Sequence, residues 1–194
     1  MTHLGSGLAA GNHHEDALSV REAELATARR IGAPEGHILT VQTNLGATYF
    51  SMGRFEDALR TSQDVYSGRV KLNGDQHERT LRAANNYAHT LLKADRFEEA
   101  KILLQKVISM ARGVLGGNHR LTLRMRSNYA LSLYADPAAT LEDLREAVTT
   151  IEDTARIARR VMGGAHPLTE EIEDELRDAR AALRARETPG PGDV

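Results

Sequence analysis

No cysteine occurs in the 194 residues. Disulfides, thiolate zinc sites and cysteine nucleophiles are therefore excluded, and the composition is compatible with a reducing, cytoplasmic location. Tryptophan is also missing, and aromatics make up only 4%. A β-sandwich draws on aromatic and β-branched residues, whereas an alanine-rich chain suits closely packed helices. No apolar run approaches the roughly 20 residues of a membrane span. Met1 to Ala10 lacks a basic n-region and a sustained apolar core, so no signal peptide is expected. A basic surplus is missing too: 25 Lys and Arg face 27 Asp and Glu, for a net charge of −2. No nucleic-acid footprint follows from that balance. Hydrophobic residues reach 41%, enough for a packed core.

What the chain does contain is a repeat. His14-Glu15-Asp16-Ala17-Leu18 returns as Phe55-Glu56-Asp57-Ala58-Leu59, Phe97-Glu98-Glu99-Ala100-Lys101 and Leu144-Arg145-Glu146-Ala147-Val148. The alanines stand 41, 42 and 47 residues apart. Asn44-Leu45-Gly46, Asn86-Tyr87-Ala88 and Asn128-Tyr129-Ala130 follow the same period of 42. Gly74-Asp75-Gln76-His77-x-x-Thr80, Gly116-Gly117-Asn118-His119-x-x-Thr122 and Gly163-Gly164-Ala165-His166-x-x-Thr169 stand 42 and 47 residues apart, as the last three alanines do. Three markers on one period define a repeat protein.

Each unit reads as two helices, the first over 38–52, 78–93 and 120–134, the second over 55–72, 96–114 and 139–162. Apolar residues such as Leu81, Ala84, Ala88 and Leu91 fall at helical spacing. Small residues recur in pairs, Gly46 with Ala58 and Ala88 with Ala100, where they let two helices approach closely. The glycines before each histidine suit a left-handed position after a helix. Pro137, in the five-residue expansion Asp136 to Thr140, ends the preceding helix.

This pattern resembles the tetratricopeptide repeat. The 42-residue period and the Gly-x-x-His-x-x-Thr linker are similar to the kinesin-light-chain-like subgroup, with residues 44–59 the strongest match. The likeness spans about residues 3–170. It departs from the pattern at Asp95, where a glycine is usual, and no heptad coiled coil is present. The resemblance implies an all-α, right-handed superhelical solenoid of antiparallel helix pairs. Repeats would occupy 1–166, as units 1–37 (partial), 38–77, 78–119 and 120–166. A helix over 167–187 would cap the C-terminal end, and 188–194 would form a disordered tail. His3-Leu4-Gly5 aligns with Asn44-Leu45-Gly46, so the chain would begin inside a first helix and leave an N-terminal face uncapped.

The resemblance further implies that first helices line a concave, peptide-binding groove. Its positions would be Thr40, Thr43, Asn44 and Ala47, then Arg82, Asn85, Asn86, His89 and Lys93, then Arg124, Ser127, Asn128 and Leu131. Asparagine is a poor helix former, so three at one repeat position need a reason. Either their carboxamides bond a peptide backbone, or they satisfy neighbouring helices; the sequence leaves both open. Arg82, Lys93 and Arg124 would favour an acidic ligand.

Catalysis and cofactors are not expected. His37, His77, His119 and His166 read as one per repeat, and packed helices would hold them about 10 Å apart, too far for shared metal ligation. His13-His14 has no third ligand. Gly5-x-Gly7-x-x-x-Gly11 lacks the strand and spacing of a dinucleotide loop. The expected function is a non-catalytic protein-interaction scaffold without nucleic acid or membrane partners. The alternatives are a structural module that self-associates through the N-terminal face, and a regulatory fragment of a larger protein.

Overall fold

Histidine, glycine and threonine of the repeated linker act together at the start of three helices. His77, His119 and His166 adopt extended backbone angles at the N-cap. Each accepts, at Nδ1, a hydrogen bond from the amide two residues on: Arg79 at 3.1 Å, Leu121 at 3.2 Å and Leu168 at 3.1 Å. Each imidazole thus does the work of a capping oxygen, satisfying a helix-terminal donor that has no partner within the helix. Thr80, Thr122 and Thr169, three residues further, are all buried. Thr80 donates to the carbonyl of Arg69, near the end of the preceding helix, and Thr122 to that of Gly116 in its own linker, whereas the Thr169 hydroxyl is buried without a partner among the described residues. His37 has no such role, because it lies inside a helix that starts at Glu35.

The glycines of the linker do not take the expected left-handed helical conformation. Gly74 has φ 82° with ψ 164°, and Gly163 has φ 86° with ψ 160°. Positive φ with extended ψ is essentially reserved for glycine, so the motif needs it for a sharper change of direction.

The computed structural model describes residues 13–188. Among them are eight helices and no strand. The chain divides after Ala94 into two compact units. In the first, α1 (His14–Arg30), α2 (Glu35–Ser51), α3 (Phe55–Asn73) and α4 (Glu78–Lys93) pack in chain order. In the second, α5 (Phe97–Val114), α6 (Arg120–Tyr134), α7 (Leu141–Met162) and α8 (Pro167–Glu187) do the same, and α6 also touches α8. Within each unit, short connections make successive helices antiparallel. The stub Met1 to Asn12, with the Gly5-x-Gly7-x-x-x-Gly11 run and the uncapped-face reading, lies outside the described residues, as do tail residues 189–194.

Packing follows the small-residue register. Ala58, Ala88, Ala100, Ala130 and Ala147 are fully buried or nearly so. At Gly68 a Cβ would stand 2.5 Å from Cδ2 of Leu39, itself 2% exposed, so α2 and α3 meet closely there. Interiors this dense leave no room for the displaced leucine. Two helix starts differ from the sequence expectation by more than one residue. Pro34, fixed near φ −52°, is the N-cap of α2, which therefore begins at Glu35 rather than 38. Thr140 and Asp143 form a reciprocal capping box, so α7 begins at Leu141 rather than 139. At the departure from the repeat, Asp95 holds φ 56°, the one positive φ on a non-glycine residue among those described. Gly53, 42 residues earlier, has φ 71°. Aspartate is among the few L residues that tolerate this region.

Candidate functional site

In the first unit, α2 and α4 form the walls of a cleft of about 260 Å³. Gly46, Ala58, Val65 and Ala83 line it with small or aliphatic surface, because the repeat places short side chains where helices meet. Phe50 stands against the imidazole of His89, ring centres 5.0 Å apart at 31°, and Phe55 meets Phe50 edge-on at 5.5 Å. Asn44 and Asn86 enter from opposite walls.

The polar groups of this cleft divide into two kinds. Thr43 donates to the carbonyl of Leu39 and Thr90 to that of Asn86, so both hydroxyls serve their own helices. The carboxamides of Asn44 and Asn86 make no side-chain hydrogen bond to any described residue. Each therefore retains two donors and an acceptor for a ligand. On α4, Arg82 is exposed and pairs with Glu78 at 2.7 Å, one turn before it. Lys93 is exposed and makes no ion pair with a described residue. Asn85 is only 4% exposed and lies away from the open surface.

Repeat-equivalent positions of the second unit look different. Arg124 on α6 is held by Glu171 on α8 through two contacts, at 3.1 and 3.2 Å. Ser127, 3% exposed, donates a short hydrogen bond to the Glu175 carboxylate. Asn128 is buried at 6% exposure and engaged. The reason lies in register: Glu171 and Glu175 stand 47 residues after Arg124 and Asn128, on the helix that continues the repeat. Burial pushes the Glu175 carboxyl above the usual glutamate range. Glu171 and Asp178 add to the shift, while the Ser127 hydroxyl and Arg124 oppose it. Burial also raises the Tyr134 hydroxyl, with Glu175 and Asp178 contributing. The sequence reading took this helix only as a C-terminal cap; the 47-residue offset, equal to that between Ala100 and Ala147, is the signal that Glu171 and Glu175 are repeat equivalents of Arg124 and Asn128.

Thus Asn44, Asn86 and His89 share one cleft, Arg82 and Lys93 lie on one of its helices, and Arg124, Ser127 and Asn128 are packed or paired within the second unit. Among the described residues no three His, Asp or Glu side chains are grouped to hold a metal ion. No described helix is long and apolar enough to cross a membrane.

The tetratricopeptide repeat family profile matches residues 37–113 and 79–137, together more than half of the chain. No curated protein matches it. Among solved structures, two of a Podospora anserina protein described as a kinesin light chain with nearly identical TPR-like repeats are similar in fold. The TM-scores are 0.79 and 0.77, each at 20% identity over 95% of this chain and 85% and 86% of theirs. BtubC (BKLC) from P. vanneervenii superposes with a TM-score of 0.72 at 14% identity, over 98% of this chain and 82% of its own.

Proposed function

Because the chain belongs to the tetratricopeptide repeat family, whose repeats are protein-interaction scaffolds, we propose that its first unit holds a peptide segment, without catalysis, in the cleft between α2 and α4. The observation that carries this reading is the pair of unengaged carboxamides, Asn44 and Asn86, facing each other across a cleft with an apolar lining. An extended peptide backbone offers donors and acceptors of matching kind, and a small apolar side chain fills the space beside Phe50 and Val65. Ligands with acidic residues are favoured. Lys93 is unpaired, and Arg82 is restrained only by an exposed ion pair worth about 0.3–0.5 kcal/mol, which a ligand carboxylate displaces at little cost.

Arg124, Ser127 and Asn128 take a secondary part in this reading. Arg124 becomes available to a ligand when Glu171 gives it up, while Ser127 and Asn128 support the fold. A cytoplasmic location is part of the same proposal, consistent with a chain that contains no cysteine.

Binding to an array of acidic and neutral peptides tests the proposal. Wild type is compared with Asn44→Ala/Asn86→Ala/Lys93→Glu, after circular dichroism has verified the variant's helicity. Binding that the variant loses and that salt weakens supports the cleft. Equal binding by both proteins, or none by either, overturns it.

A further inference from the structure

Five large hydrophobic side chains stand well exposed among the described residues: Ile31 at 69%, Leu72 at 46%, Ile102 at 59%, Val114 at 47% and Val161 at 48%. Single exposed apolar residues are ordinary. Here, however, four of the five share one register. Ile31, Leu72, Val114 and Val161 are 41, 42 and 47 residues apart, the intervals that separate Ala17, Ala58, Ala100 and Ala147. Ile102 alone falls outside it. Ile31 directly follows α1, Leu72 and Val161 lie in the last turns of α3 and α7, and Val114 ends α5. Each sits at the C-terminal end of a second helix, and three of the four are β-branched Ile or Val, which serve a helix less well than alanine or lysine.

Cations accompany them. Arg29 and Arg30 precede Ile31, Lys71 precedes Leu72, Arg112 stands two before Val114, and Arg160 precedes Val161. All five are exposed, and none makes a side-chain hydrogen bond or ion pair with a described residue. Elsewhere in the second unit, Arg156, Arg159, Arg177 and Arg180 all pair with carboxylates. The helix dipole accounts for a cation in a last turn. It does not account for an exposed hydrophobic beside that cation in every repeat.

We propose that these helix ends form, in each unit, a second docking edge for an acidic protein segment with apolar anchors, separate from the α2–α4 cleft. In the first unit it consists of Ile31 and Leu72 with Arg29, Arg30 and Lys71. In the second it consists of Val114 and Val161 with Arg112 and Arg160. Charge complementarity selects an acidic partner, and the separate apolar side chains select leucine-like anchors rather than a continuous apolar face. A protein segment fits better than a membrane, because the apolar side chains stand singly at separate helix ends, each beside its own cation, and form no continuous apolar face that would enter a bilayer.

The test uses the full chain and a fluorescent synthetic peptide with leucines spaced among Asp and Glu, beside the same peptide with every leucine replaced by serine. We expect wild type to bind the leucine peptide, and Ile31→Ser/Leu72→Ser/Val114→Ser/Val161→Ser to weaken it at least about tenfold. The comparison is repeated in a chain that carries Asn44→Ala/Asn86→Ala, where the difference between the two proteins should remain because the α2–α4 cleft no longer contributes to the signal. If the serine variant is not helical, Arg30→Gln/Lys71→Gln/Arg112→Gln/Arg160→Gln gives the same reading with the apolar residues intact. No binding of the leucine peptide, equal binding of the serine peptide, or disappearance of that difference in the cleft-variant background overturns the proposal. Binding to phosphatidylserine vesicles without binding to the peptide also overturns it.

Discussion

Arg124 and Glu171 are joined by two hydrogen-bonded contacts, Nη1 to Oε1 at 3.2 Å and Nη2 to Oε2 at 3.1 Å. The pair connects the first helices of successive repeats and cancels the charge that would attract an acidic ligand to α6. Both side chains are about half exposed, at 41% and 47%, so solvent screens the pair and its contribution is about 0–1 kcal/mol. Glu171→Gln should therefore lower stability by less than about 1 kcal/mol, read by urea denaturation. The same change frees Arg124. Any acidic peptide that engages α6 should bind about two- to fivefold more tightly to the variant, measured by fluorescence anisotropy.

Glu175 predicts a pH dependence. Its folded-state pKa lies above the ordinary glutamate value because the carboxyl is buried. The folded protein thus holds this proton more tightly than the unfolded chain does. Below the ordinary glutamate range the group has no effect on stability. As pH rises through the folded value a penalty develops, and above it the penalty is complete. Glu175→Gln keeps an acceptor for Ser127 and removes the charge. It should be more stable than wild type at about pH 8, with the advantage shrinking steadily on acidification towards about pH 4, followed by chemical denaturation across that range.

Asp143 has the opposite sign. Bonds from the Thr140 hydroxyl and amide, and then from Lys101, hold its carboxyl below the usual range. Its contribution is present above the ordinary aspartate value and is lost as pH falls through the folded one. Asp143→Asn should destabilise the protein at neutral pH and lose that effect in acid. A neutral-pH stability equal to wild type would rule this out.

The histidine caps predict a substitution pattern. His119→Ala removes the acceptor for the Leu121 amide and should cost about 1 kcal/mol. His119→Asn, with an oxygen in reach of the same amide, should recover most of that loss in thermal denaturation. Equal losses in the two variants would mean that the imidazole acts by packing instead.

Asp95 carries the backbone strain that its repeat equivalent, Gly53, avoids. Asp95→Gly should raise stability by about 0.5–1 kcal/mol, and Asp95→Val should lower it by about 1–2 kcal/mol. A stabilising valine would show that the left-handed turn is not kept in solution.

Much of this molecule is decided locally. The period of the alanines, the asparagines and the Gly-x-x-His-x-x-Thr linkers determined that the chain forms paired helices and where most of them begin, because helical spacing and end chemistry act within a few residues. Helix starts at Pro34 and Thr140 were misjudged by two or three residues, since the flanking residues of those starts depart from the linker pattern.

Which repeated residues remain available to a partner is a different kind of fact. Asn44, Asn86 and Asn128 are equivalent in sequence, yet two of them face a cleft with free amides and the third is buried. Arg82 pairs within its own helix, while Arg124 is met by Glu171 from 47 residues away. Availability depends on what stands opposite in space, and sequence periodicity makes positions equivalent without making their neighbours so. Only the tertiary structure set Glu171 and Glu175 of α8 against Arg124 and Ser127 of α6, and only it left Ile31, Leu72, Val114 and Val161 exposed at the ends of α1, α3, α5 and α7.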